Sequence, residues 1–458
     1  MEDKVPRLWW VKWMVWVIET SGPTFTKLGQ WASSRSDLFP QYVCTELSEL
    51  QSNNRAHSFI HTRNTIEDNF NEKLEDVFSE FERKPIGVGA IGQVYKAKLR
   101  ESDQYVAVKV LHPYVRYLVN VDLDIMKFFA TVIEYTIPNS HWLSLPEEVD
   151  MFSSMMRAQL DLSVEAQHLV LFGENFDKWD SVGFPQPIQK YVRKDILVEK
   201  WVDGILMEKF LKWGGSCYDK QVATIGLTSF LKMLILDNHL HADLHPGNII
   251  ISFQSKFDPE LFLDDTHIDR IAKSKNKEEW KQALLEIHQD YNPYLYYIDA
   301  GLVSQLSVQH FSNFIDLFKA ITDFDGNLIS KLMVERSRTP NTVIDFKGFS
   351  EAMKQFMIRI KENAFALKHI QVTEILTFVF DIVRKHHVKI EGDFANVGVA
   401  IILLEGVGKQ LEPDLDLLKA SVPFLSKAIK NRVQGDVSKT ELGVWNYLKI
   451  TFLSSIFK

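Results

Sequence analysis

The chain has 458 residues, 46% of them hydrophobic and 24% charged. That excludes a disordered or fibrous polymer and leaves material for about three domains or one large bilobal unit. The formal net charge of −8 excludes a bulk nucleic-acid binder, for which a basic balance is usual, and the two cysteines, Cys44 and Cys217, build no disulfide framework and fit a reducing compartment.

In chain order, residues 5–80 read as mostly helical. The longest apolar run, Leu8–Ile18, falls short of the roughly 18–20 residues that span a bilayer and carries Lys12. Trp9, Trp13 and Trp16 share one helical face there. We expect that face to dock on the protein's own core; the other reading is an interfacial helix, because Trp favours the membrane–water boundary. No small-residue cleavage site follows, and Glu2 and Asp3 are unlike an acid-poor transit peptide, so no clear targeting segment is expected here.

Residues 84–97 read as strand, glycine-rich turn, strand, and Tyr105–Leu111 as a further strand closed by His112-Pro113. A long helix is expected from about Ser144, with Ser144 and Glu147 as a capping box and Pro146 in the first turn. Ile196–Gly204 reads as a buried strand stopping at a turn, and Gln221–Asp237 as an amphipathic helix. Residues 252–297 interrupt the second lobe, and the charged stretch Asp269–Asp290 reads as a solvated helical or flexible insertion. Beyond about residue 303 the pattern is helix and connectors; Glu405 there reads as a helix-end acid in core packing. The tail Trp445–Leu453 is amphipathic, expected to dock on the large lobe, with membrane contact as the second reading. The order is a helical N-terminal extension (1–83), a β-rich lobe with a helical insertion (84–203) and a helical lobe (204–458).

Three separated motifs carry chemistry. Gly87-x-Gly89-Ala90-x-Gly92 fits a glycine-rich phosphate turn, because glycine lets the backbone approach phosphate oxygens. The turn opens a strand rather than a helix, which sets aside a dinucleotide-binding reading. Val106-Ala107-Val108-Lys109 follows, in the position of the strand lysine that holds phosphates in kinases. Asp243 and Asn248 keep the five-residue step of a kinase catalytic loop, and Asp299-Ala300-Gly301 comes downstream. Asp243 suits the position of a base, and the oxygens of Asn248 and Asp299 suit Mg²⁺. His239-x-His241-x-Asp243-x-His245 also invites a zinc-hydrolase reading, weakened because His245 falls one residue late for that signature.

On these residues the chain resembles the UbiB family of aarF-domain atypical kinases. Lys27-Leu28-Gly29-Gln30 with Arg35-x-Asp37 resembles its KxGQ element, and Leu160–Ala166 its helix motif. His241–Asn248 resembles its catalytic loop, and the leader is closest to the mitochondrial aarF-domain-containing kinase 2-like branch. The resemblance implies an α+β, protein-kinase-like bilobal fold with a helical N-terminal extension and a large helical C-lobe. It implies ATP and Mg²⁺ as cofactors, a lipid or quinone-like small molecule as partner, peripheral contact with the mitochondrial inner membrane, and a role in coenzyme Q or lipid homeostasis. Lys109 would hold phosphates and pair with Glu165; Asp243 would be the base; Asn248 and Asp299 would hold metal. Gly87, Gly89, Ala90 and Gly92 would wrap phosphate. Val198–Trp201, with Glu199 and Trp201, would meet adenine through backbone groups, and Lys27 and Gln30 would cover the cleft. Asp161 would share a helical face with Glu165 and receive an ion pair from Lys27. The chain enters a helix soon after Asp299, with Ser307 as cap and no room for a peptide-docking segment. An ordinary protein kinase is therefore not expected; a nucleotide-gated pseudokinase that moves a lipid is the alternative.

Overall fold

Alternating burial along Gly92–Leu99 and near-continuous burial along Tyr105–Leu111 mark the two strands around which the first lobe is built. The computed structural model describes residues 9–435 apart from 36, 49, 51–55, 138–142, 338–342 and 367–370. The tail Trp445–Leu453 lies outside the described residues.

The leader holds α1 (Trp9–Ser21), α2 (Pro23–Ser34), α3 (Gln41–Ser48), α4 (Phe59–Phe70) and α5 (Leu74–Val77). The first lobe holds β1 (Phe78–Phe81), β2 (Gly87–Val88), β3 (Gly92–Leu99), β4 (Tyr105–Leu111), α6 (Val115–Thr136), α7 (Leu145–Gln159), α8 (Leu162–Phe176), β5 (Val182–Gly183) and β6 (Ile196–Lys200). Its antiparallel sheet runs β1-β3-β4-β6, with β2 also on β3. The register sets Lys109 opposite Val94 on one side and Leu197 on the other.

The second lobe begins with β7 (Ile205–Leu206), α9 (Met207–Trp213) and α10 (Asp219–Leu231), which runs into a π-helical turn at Lys232–Leu236. β8 (Leu240–His241), β9 (Ile249–Ser255), α11 (Asp265–Ala272), α12 (Lys277–Ile287), β10 (Tyr291–Tyr297) and β11 (Val303–Ser304) follow. The rest is helical: α13 (Val308–Thr322), α14 (Gly326–Glu335), α15 (Phe346–Ala366), α16 (Val372–Lys385), α17 (Gly392–Leu411) and α18 (Leu417–Gly435). One hydrophobic core joins α8, α10 and the β9–β10 ladder across the lobes.

Several expectations change. The Ser144 side chain makes no cap; its residue sits left-handed at φ 44°, and its carbonyl receives the Glu147 and Glu148 N–H groups instead. The helix expected there ends at Gln159 and a new one starts at Leu162. Outside partners claim the intervening backbone: Arg116 Nε donates to the Leu160 carbonyl, and the Leu162 N–H donates to Lys194. α6 was not foreseen. The charged insertion is no loose excursion, since Trp280 and Leu284 of α12 are fully buried and β9 pairs with β10 from Tyr291↔Ser255 to Tyr297↔Ile249. The tryptophan face of α1 does not dock on the core: Trp9, Trp13 and Trp16 are exposed. Contrary to the expectation from apolar runs, Phe394–Leu411 is long and apolar enough to cross a membrane by length and composition, with mean hydropathy 1.3. It packs against α10 and α16. On it Glu405, 2% exposed, receives the Val372 and Thr373 N–H groups and so caps α16.

Candidate active site

The ammonium of Lys109, on β4, lies 2.5 Å from Glu165 Oε1 and 3.4 Å from Glu199 Oε1, and donates to the Ile298 carbonyl at 2.8 Å. Strand, helix and loop thus meet at one nitrogen. Burial alone would lower the lysine's pKa; Glu165, then Glu199 and Asp299, outweigh it and hold it above the usual range. Burial pushes the Glu165 carboxyl up against the pull of Lys109. Burial likewise pushes Glu199 to about 8, and its Oε2 is buried without a hydrogen-bond partner. Asp299 goes the other way. Burial opposes its charge, but Lys109, the Gly301 N–H, His241 and Lys27 bring its pKa below the ordinary carboxylate value.

The loops that carry the acids are tied together through the backbone. Ala242 N–H donates to Leu302, and Ile298 N–H to Asn248. The β8–β11 pair aligns His241 with Val303. Asn248 Nδ2 donates to the Asp243 carbonyl at 3.1 Å, and the Asp243 N–H to His241 Nδ1 at 3.3 Å, fixing the catalytic-loop turn. The half-buried Asp243 carboxylate has no hydrogen bond among the described residues. Two holders escaped sequence reasoning. His168, one turn after Glu165 on α8, pairs its Nδ1 with the Ala300 carbonyl at 3.0 Å. Asn238 donates to the Leu306 carbonyl and accepts from its N–H, pinning the run after Asp299. Ser307 caps α13 through His310 N–H, as expected.

The glycine turn closes through Gly89 N–H to the Gly92 carbonyl at 2.9 Å. Gly92 is needed for close approach: a Cβ there would lie 2.7 Å from the Val110 carbonyl oxygen. His112 links Nε2 to the Gly89 carbonyl at 3.0 Å and Nδ1 to His57 Nδ1 at 2.7 Å. Burial holds His57 down at about pH 4 and lowers His112 as well. This contact of neutral rings couples the leader to the turn. It was invisible in sequence because 55 residues separate the pair.

Of the leader residues, Lys27 is close enough to Asp299 for its charge to stabilise the carboxylate. Gln30 instead reaches Leu50 with Nε2 at 3.1 Å, inside the leader. A Cβ on Gly29 would fall 2.2 Å from Leu50 Cδ1. Arg35 is fully buried and grips Asp37 with two bonds of 2.8 Å and Glu148 with one of 2.6 Å. Lys389 completes the group 3.3 Å from Glu148.

In the expected hinge, the Lys200 N–H donates to Gln186 and the Trp201 N–H to Tyr105, while the Glu199 side chain reaches Lys109. Two expectations about this site are corrected. Asp161 is not on the helix with Glu165; it caps α8, receiving the Ser163 N–H at 3.0 Å, and no ion pair joins it to Lys27 among the described residues. The alternating imidazoles do not share a centre. His239 packs tilted against Phe172, ring centroids 4.5 Å apart, within the core, His241 is buried beside Asp299, and His245 turns outward toward Glu208. Among the described residues no group of three His, Cys, Asp or Glu side chains is placed to hold a metal ion.

Residues 49–333 match the profile of the ABC1 atypical kinase-like domain, and residues 354–416 that of the UbiB helical domain. The chain is 39% identical to the mitochondrial ABC1 family protein YPL109C of Saccharomyces cerevisiae, over 96% of this chain and 72% of that one. It is 39% identical to the mitochondrial ABC1 family protein C21C3.03 of Schizosaccharomyces pombe, over 92% and 65%. It is 25% identical to the probable protein kinase UbiB of Tolumonas auensis, over 91% and 70%. The chain thus spans about two thirds of the length of these relatives. Among solved structures, Mycobacterium tuberculosis Rv3197, determined as an erythromycin complex, matches with a TM-score of 0.50 at 15% identity, covering 84% of this chain and 86% of that one; this likeness concerns fold alone.

Proposed function

This chain belongs to the ABC1/UbiB atypical kinase family, and from that premise we propose an ATP/Mg²⁺-dependent atypical kinase or ATPase that acts in mitochondrial coenzyme Q or lipid homeostasis. The observation that carries the reading is the meeting of Glu165 and the Ile298 carbonyl, from two distant motifs, at the Lys109 ammonium, with the Asp299 charge acting on it as well. The donor set fits the cofactor. Asp299 and Asn248 offer the oxygen ligands Mg²⁺ prefers, and an ionised Lys109 beside the Gly87–Gly92 turn suits phosphate oxygens. Bound Mg-ATP would supply the transferable phosphoryl group. Glu165 keeps Lys109 charged and in place. Asp243, with its carboxylate uncommitted among the described residues, would serve as the base that takes the acceptor's proton.

The short passage from Asp299 to α13 leaves no platform for a peptide, so a lipid or quinone-like acceptor, or water, fits better than a protein. The mitochondrial labels of the yeast relatives support that compartment, with inner-membrane association as part of the same proposal. The alternative, a nucleotide-gated pseudokinase that binds or moves a quinone, draws on the leader, whose Lys27 already leans on Asp299. Turnover separates the two. The test of the site is a nucleotide-dependent thermal shift. Wild type should gain stability with ATP plus Mg²⁺, and Asp299→Asn should lose the Mg²⁺-dependent part; an unchanged shift in Asp299→Asn would refute the metal assignment.

A further inference from the structure

We propose that the exposed apolar face of α6, with the tryptophan row of α1, seats this protein in the interface of a lipid bilayer. α6 has three faces at 100° per residue. Val119, Leu123, Met126 and Ala130 pack inward. Arg116, Asn120, Asp124, Lys127 and Glu134 form a polar face. The third face holds Tyr117, Val121, Ile125, Phe128, Phe129 and Val132, with Tyr117, Phe128 and Phe129 69%, 63% and 58% exposed. Its charge-free arc spans about 120° over 22 residues, roughly 33 Å of helix. Tyr114 and Tyr135, both highly exposed, stand at the two ends, where rings can insert while hydroxyls stay among headgroups. On α1, Trp9, Trp13 and Trp16 make a second exposed row.

A cavity of about 440 Å³ lies between the α1–α2 junction and the start of α6, its wall including Gly22 and Pro23, Leu118 and Val119 of α6, and Ala90 and Ile91 of the glycine turn. Strips roughly 33 Å by 10 Å on α6 and 20 Å by 10 Å on α1 together offer about 530 Å², under the ~800 Å² per partner of a stable protein interface. A fluid solvent conforms to both strips, where a rigid partner would need a matching surface for each. The bordering charges also point to lipid of neutral headgroup. Arg116 and Lys127, the basic residues of α6, are already paired with Asp195 and Asp150 and are not free to seek anionic lipid. The seat does not depend on nucleotide. Combined with the proposed function, it brings the glycine turn beside the bilayer, so an acceptor dissolved in lipid reaches the cleft without crossing water.

The test uses the full chain without nucleotide and phosphatidylcholine vesicles in a flotation assay at low and high salt. Wild type should float with the vesicles equally at both. Phe128→Ser/Phe129→Ser/Val132→Ser and Trp13→Ser/Trp16→Ser should each lose partition by about tenfold or more with unchanged melting temperature, because the removed groups are exposed in the free protein. The proposal falls if wild type fails to float, or if the variants float as it does. It also falls if binding needs anionic lipid and vanishes in salt, or if the chain elutes as a dimer that Phe128→Ser splits. Any of these results leaves the nucleotide site, read by thermal shift, untouched.

Discussion

Two groups of four charged side chains are sheltered from water, and their balance differs. Between leader and lobes, Arg35 and Lys389 face Asp37 and Glu148, formally 2 − 2 = 0. In the cleft, Lys109 faces Glu165, Glu199 and Asp299, formally 1 − 3 = −2. The first group is closed: each charge has a partner, and the network fastens the leader to α7 and to the α16–α17 connection of the helical lobe. The second is rich in acids, and two things relieve it: burial keeps a proton on Glu199 at neutral pH, and Lys27 of the leader brings a positive charge near Asp299. An uncompensated buried charge is costly, so this group depends on protonation and on a charge supplied from another part of the chain, where the first group is balanced by fixed ion pairs. The excess of carboxylates is compatible with the Mg²⁺ of the proposed function.

The contrast is open to attack in order of effect. Arg35→Met strands two carboxylates, and chemical denaturation should show a loss of about 3–5 kcal/mol. A loss near zero would mean that the network is not closed. Glu199→Gln should act through pH instead. The native chain keeps a proton on Glu199 up to about 8, whereas the unfolded chain releases it near 4.5, so stability from this group falls as pH rises between those values. The glutamine variant should flatten that limb of the melting-temperature profile. Mg²⁺ bound beside Lys109 should displace the proton, so wild type should release acid on Mg-nucleotide binding and the variant should release less. His239→Leu should have the smallest effect. The native imidazole refuses a proton until about pH 4 and the unfolded one accepts it at 6.5, so wild type loses stability as pH falls across that window. The variant should lose less, while keeping the thermal response to nucleotide.

The motifs at 87–92, 109, 243–248 and 299 were legible because the chemistry expected of them demands particular atoms at particular local spacings; Glu165 came from the resemblance of its helix motif, and the structure sets it against Lys109. What sequence could not give depends on partners brought from afar. Arg35 and Glu148 are 113 residues apart, and nothing near either one announces the other. The helix break at Leu160 follows from hydrogen bonds offered by Arg116 and Lys194, so a local capping rule could not place it. α6 starts at Tyr114 with φ 57° and no side-chain cap, leaving no signal to find, and it is apolar on two faces, which blurs the usual single-stripe pattern. The tryptophan row misled for a related reason: periodicity shows that side chains share a face, not what that face meets.

Gly29 shows how a residue with no functional group can set the clearance of a doorway. Because nothing projects from it, the side chains of Leu50, Ile18 and Leu47 close over α2 at this point, and Lys27, two residues earlier, is held near enough to Asp299 for its charge to act. A single methyl group at this point would act as a shim. The cover would stand off the cleft, and the molecule would lose its threshold before it lost any of its chemistry.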